Sequence, residues 1–149
     1  MKKNDNHLII HFIKNLEKKF PFILNKMQST LIPLKKIIFD KKKQELIFIE
    51  MLQEDNTNKP GIYIFFDDSN IEFIGHSLFN CNKRVKLQLN NKIQNGQKFF
   101  RNKQKSTDRS IFFLTKKDRL DDNLLITIES FLIKKIRPTN NVLLNQYLK

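Results

Sequence analysis

The chain has 149 residues, 40% hydrophobic and 11% aromatic; that suffices for the core of one domain and excludes disorder as the main state. Lysine and arginine number 28 against 15 aspartates and glutamates, a formal net charge of +13 that points to a polyanionic partner. The single cysteine, Cys81, excludes an intramolecular disulfide and the common cysteine-based zinc sites.

In chain order, residues 4–20 read as an amphipathic helix. Leu8, Ile9, Phe12, Ile13 and Leu16 recur at helical spacing, with Lys14 and Lys18 opposite. Charges break up the N-terminal apolar stretch and no run approaches ~18 apolar residues, so neither a leader nor a membrane span is expected. Together with the lone cysteine this predicts a cytoplasmic protein of a reducing compartment. His7 and His11 stand four apart on that helix, but no third metal ligand accompanies them.

Pro21 interrupts the pattern, and Ile23, Met27 and Leu31 predict a second short helix ending before Pro33. Residues 36–54 fit a helix capped by Asp40 or a strand around Ile47–Ile49, and the helix is favoured. The polar stretch EDNTNKPG (54–61) reads as a linker. The expected organisation is therefore a mainly helical extension over residues 1–57 and a second domain over 58–149. The extension is a candidate surface for homodimer formation.

Beyond the linker the pattern changes. GIYIFF (61–66), DDSN (67–70) and IEFIG (71–75) read as strand, turn and strand, a β-hairpin. A helix is expected over 78–91, a polar basic stretch over 92–109 and a third strand at SIFFLT (110–115). Asp121 or Asp122 then caps a long helix that Pro138 stops. VLL (142–144) reads as a short strand or an extended tail.

Four features carry chemistry. Glu129 lies within the apolar stripe Leu125, Ile128, Leu132, Ile136 of the last helix, where a carboxylate needs a cationic partner. Arg84 lies on the helix after the hairpin, and its forked guanidinium suits a phosphate. Tyr63 places a phenol on the first hairpin strand. Residues 83–109 carry nine basic side chains (Lys83, Arg84, Lys86, Lys92, Lys98, Arg101, Lys103, Lys105 and Arg109) against Asp108 alone. So dense a field is expected to grip nucleic-acid phosphates.

Taken together, Gly61-Ile62-Tyr63, Phe73-Ile74-Gly75, Arg84, Glu129 and the Asn at 141 resemble the GIY-YIG nuclease superfamily. Within it the likeness is greatest to the N-terminal nuclease domain of UvrC, through KPGIYIFF (59–66) and ESFLIKKIRPTNNVLL (129–144). It covers about residues 58–144. The resemblance implies an α+β fold, a small three-stranded antiparallel sheet flanked by helices. It implies a DNA endonuclease that hydrolyses phosphodiester bonds with Mg²⁺ or Mn²⁺. Carried over, Glu129 is the metal ligand, Tyr63 the general base or the group that positions water, and Arg84 the stabiliser of the transition state. Asn141 orients the glutamate end of the site.

The chain also departs from that pattern. Phe73 replaces the second tyrosine, Gln88 stands where the family has His or Tyr, and the interval from Phe73 to Arg84 is one residue longer. His76 stands where UvrC has a lysine, and is a candidate proton carrier or phosphate contact. The alternative expectation is a DNA-binding module on the same fold with weak or no catalysis.

Overall fold

The amphipathic stripe near the N-terminus forms helix α1 (His7–Lys19), which buries Ile9, Phe12 and Leu16 on one face. The computed structural model describes residues 7–33, 37–40, 45–48, 55–67, 70–87, 110–117 and 120–138, with backbone alone at 37–40 and 45–48. The expected elements at 92–109 and 142–144, and with them Asn141 and Gln88, lie outside the described residues, as do Lys92, Lys98, Arg101, Lys103, Lys105 and Arg109.

After α1 the chain turns through Phe22, at φ 71°, into one 3₁₀ turn (Ile23–Lys26) and then strand β1 (Met27–Pro33). The second helix expected over these residues is therefore a strand. The four-residue spacing of Ile23, Met27 and Leu31 is outweighed by pairing along the strand at Ser110–Lys116, whose outer backbone groups need partners. The helix favoured for 36–54 is also replaced, by a two-stranded hairpin of β2 (Ile37–Asp40) and β3 (Glu45–Phe48).

The rest of the secondary structure follows the sequence pattern. Strands β4 (Gly61–Phe66) and β5 (Ile71–Ser77) form the hairpin, helix α2 covers 81–87, and β6 (Ser110–Lys116) leads to helix α3 (Asp122–Ile136). The Asp121 side chain caps α3 by accepting from the Asn123 amide at 3.0 Å. Arg137 closes the helix in the left-handed conformation, its amide donating to the Ile133 carbonyl, and Pro138 follows.

The main sheet is antiparallel with order β1-β6-β4-β5. It has four strands, not three: β6-β4-β5 is the expected set and β1 is added at the β6 edge. One face carries Ile62, Ile64, Ile74, Phe112 and Leu114. They pack with Ile9, Phe12 and Leu16 of α1 and Leu125, Ile128, Leu132 and Ile133 of α3 in a single core. Sheet and core thus both cross the boundary expected near residue 57. The apolar stripe of α1, within the extension expected to serve dimer formation, is occupied within the chain.

The stretch read as a linker is pinned. Thr57 is fully buried and its hydroxyl accepts from the Asn82 amide at 2.8 Å. The Thr115 hydroxyl donates to the Asn56 carbonyl at 2.6 Å. The Cys81 amide donates to the Lys59 carbonyl and the Lys116 amide to the Pro60 carbonyl. These bonds fix the start of α2 and the entry into β4 relative to one another, and both elements carry site residues.

Candidate active site

The site forms around β5, an outer strand of the main sheet. Tyr63 of β4 pairs across to Gly75 of β5, and Ile62 to His76. A side chain at 75 would run into the Tyr63 ring, so the phenol lies across the glycine toward the edge of the sheet. This is what the glycine of Phe73-Ile74-Gly75 provides: a place for a neighbouring ring, where even a methyl group does not fit. Phe65, Phe73 and Phe113 surround the same tyrosine, with ring centroids 5.7, 6.1 and 6.4 Å from it. Phe73 stacks on Tyr63 at an interplanar angle of 28°.

Gly61, the first residue of β4, has a different reason. A Cβ there would collide with the backbone of Leu114 and Thr115. It lets β4 and β6 approach closely at the end of the sheet where α2 is anchored.

Three side chains approach this edge. Arg84 extends from α2 close enough to the Tyr63 phenol for its guanidinium to donate a hydrogen bond there. His76 Nδ1 contacts the Glu129 carboxylate oxygen Oε2, joining β5 to α3 across 53 positions of sequence. Glu129 also lies close enough to Tyr63, and Arg84 close enough to His76, for each charge to act on the other group. Tyr63, His76, Arg84 and Glu129 are thus brought together. Glu129 is 15% and His76 29% exposed, so the pair sits at a partly open rim.

The electrostatics separate the two proton-bearing groups. Burial pushes the Tyr63 phenol well above its ordinary value, and Arg84 only partly offsets this. Even an ordinary phenol is ionised in only about one molecule in a thousand at pH 7, so this one remains protonated. His76 is raised above 6.5, first by its hydrogen bond to Glu129, against an opposing effect of burial. The Glu129 charge adds to the rise and Arg84 counters it. The imidazole is therefore the group that titrates nearer neutrality.

The donor set bears on a metal. Among the described residues no group of three His, Cys, Asp or Glu is positioned to hold an ion. A half-buried carboxylate at a charged rim nevertheless fits the way Mg²⁺ is usually bound, by one or two carboxylates with waters and substrate phosphate supplying the rest. Glu129 has two oxygens, of which His76 engages Oε2.

Several site features lie outside the sequence expectations. The pairing of His76 with Glu129 is one, since nothing local connects residues so far apart. The Thr57–Asn82 bond is another. The caps before α2 were legible in principle: the Ser77 hydroxyl accepts from the amides of Phe79 and Asn80, and Asn80 Oδ1 accepts from the Lys83 amide. Of the expected nucleic-acid contacts, Lys83, Arg84 and Lys86 fall within the described residues, all on α2. Lys86 is lowered from its usual value by burial and by the charge of Lys83.

Comparisons of the chain with protein-family models, with curated proteins and with solved structures gave no match. No helix of the described residues is long and apolar enough to cross a membrane.

Proposed function

We propose that the chain is a metal-dependent DNA endonuclease of GIY-YIG type that hydrolyses phosphodiester bonds at the β5 edge. The observation that carries this reading is the convergence of Tyr63, His76, Arg84 and Glu129 from four separate elements. Hydrolysis of a phosphodiester requires charge to be offset on the non-bridging oxygens and a proton to be moved from the attacking water. Arg84 supplies fixed donors for the first task. Tyr63, beside Arg84 and protonated without metal, orients that guanidinium and offers its hydroxyl to the attacking water. His76, held at Nδ1 by Glu129, presents Nε2 for the proton. Glu129 would hold a Mg²⁺ or Mn²⁺ ion, which when bound polarises the phosphate and stabilises the leaving oxygen. Lys83 and Lys86, with the rest of the basic stretch to residue 109, would grip the flanking phosphates.

The test is incubation of the purified chain with supercoiled plasmid and Mg²⁺ or Mn²⁺, with and without chelator. Nicking that disappears with chelator and in Glu129→Gln supports the reading. Uncut plasmid with both metals over a broad pH range overturns it.

One observation favours the alternative, a DNA-binding module that does not cut. Phe73 stacks on Tyr63 where the family places a second hydroxyl. Phe73→Tyr separates the two. Cleavage gained in that variant identifies a decayed nuclease, and silence with retained DNA binding identifies the module.

A further inference from the structure

Phe79 is 85% exposed, the most exposed large hydrophobic side chain among the described residues. It does not stand on a frayed end. The Ser77 hydroxyl accepts from the Phe79 amide at 3.2 Å and from the Asn80 amide at 2.9 Å, and Asn80 caps the next turn through the Lys83 amide at 3.0 Å. Two side chains therefore fix the backbone that presents an aromatic ring to water. The three-residue connection 78–80 would serve equally well with a polar residue at 79, so nothing in the fold requires the ring.

Its surroundings indicate what the ring meets. It lies three residues after His76 and five before Arg84, between two members of the site. Lys83 and Lys86 follow on α2. Among the described residues the ion pairs are His76–Glu129 and Lys116–Asp122, so neither lysine is neutralised by a carboxylate there. An exposed aromatic a few residues from lysines that make no ion pair among the described residues is a combination suited to unpaired nucleobases, the cations holding the backbone and the ring stacking on a base. Duplex DNA offers the cations its phosphates but keeps its bases stacked within the helix.

We infer that Phe79 is a base-stacking residue, and that the preferred substrate carries an unpaired base beside the phosphate presented to Arg84 and Glu129: a single strand, a flap or a single-strand–duplex junction. This rests on the nuclease reading for the placing of the phosphate, but the stacking contact is measurable without cleavage.

The experiment uses the full chain in chelator, so that binding alone is read. The sequence contains no tryptophan, so Phe79→Trp introduces a single reporter. Its fluorescence is expected to be quenched by a single-stranded oligonucleotide and by a flap, and little by a blunt duplex of equal length. In anisotropy titrations with labelled versions of the same probes, Phe79→Ala is expected to weaken single-strand and flap binding about tenfold, as for the loss of one stacked base. Duplex binding should change less than about twofold. The inference is overturned if the tryptophan is silent to every oligonucleotide, as when the ring serves a protein partner. It is overturned equally if Phe79→Ala weakens duplex and single strand alike. These outcomes are separate from those of the plasmid assay: a cutting enzyme with a silent tryptophan retains the nuclease and loses the stacking residue, and a non-cutting protein with selective quenching does the reverse.

Discussion

The two faces of the main sheet are built from different materials. On one, Ile62, Ile64, Ile74, Phe112 and Leu114 meet the apolar stripes of α1 and α3. On the other, Tyr63, Phe65, Phe73 and Phe113 form an aromatic cluster. Close to that cluster, polar bonds from Thr57, Asn82 and Thr115 fix the ends of the elements. The first face holds the fold together by burial. The second holds a phenol and a guanidinium at set positions. The candidate site lies where the two meet, at β5: His76 and Glu129 come from the side of α3, Tyr63 and Arg84 from the side of α2. A division of this kind predicts that stability and chemistry can be damaged separately.

The largest expected effect breaks the first face. Phe12 is fully buried and packs edge-on against Phe112 at 6.3 Å. Phe12→Ala should cost about 3–5 kcal/mol in urea unfolding, from lost burial and the cavity that remains. The next effect falls on chemistry. Arg84 is exposed and is not part of the core. Arg84→Ala should lower the cleavage rate by about 10²–10³, or roughly 3–4 kcal/mol in the barrier, as for loss of one donor to the transition state. Its unfolding midpoint should remain near that of the parent. A large loss of stability in Arg84→Ala would show that the two faces are not separable.

Gly75→Ala tests the seam. The added methyl would meet the Tyr63 ring, so either the ring shifts or the strand does. The expected cost is about 1–3 kcal/mol of stability, typical of overpacking. The rate should fall as well, because the phenol no longer holds Arg84. Combining it with Tyr63→Phe should show a clear departure from additivity, since both changes act on one contact.

What the sequence made legible follows the same physical division between local and distant signals. The β4–β5 hairpin and α3 were readable because alternation, turn residues and the Asp121 cap agree within a few positions. Residues 23–33 were not, since the spacing of Ile23, Met27 and Leu31 suits a helix and only the open edge of β6 makes them a strand. Residues 37–48 misled in a related way. Leu46, Ile47, Met51 and Leu52 imitate helical spacing, and the stretch between the two strands contains no glycine or asparagine to announce a turn. In the site, the apolar stripe around Glu129 and the positions of Arg84 and Tyr63 already drew notice before the resemblance gave them roles, and His76 appeared only as a departure from pattern. Its partner was invisible because a pairing across 53 residues leaves no local trace. The polar run at 54–61 has the composition of a linker, whereas Thr57 and Asn56 serve as hydrogen-bonding anchors.

The smallest effect concerns the pair that joins β5 to α3. His76 is raised above its ordinary 6.5 chiefly by its hydrogen bond to Glu129, with Arg84 the nearby charge that opposes the rise. Folding therefore favours the protonated imidazole. A basic group whose value is higher folded than unfolded contributes its stability in full below the unfolded value and loses it as pH rises through the folded one. The wild type should thus exceed His76→Gln in melting temperature near pH 6, and the gap should close as pH rises through the folded value. Both partners are partly exposed, so water screens the pair and its contribution is about 1 kcal/mol or less. For a chain of this length that corresponds to roughly 2–4 °C at most. Thermal melts of the two proteins across this range, at low and high salt, read it directly. A gap that is constant with pH would mean that His76 acts by packing and not as a charged partner of Glu129. A gap that widens toward alkaline pH would reverse the sign and show that folding favours the neutral imidazole.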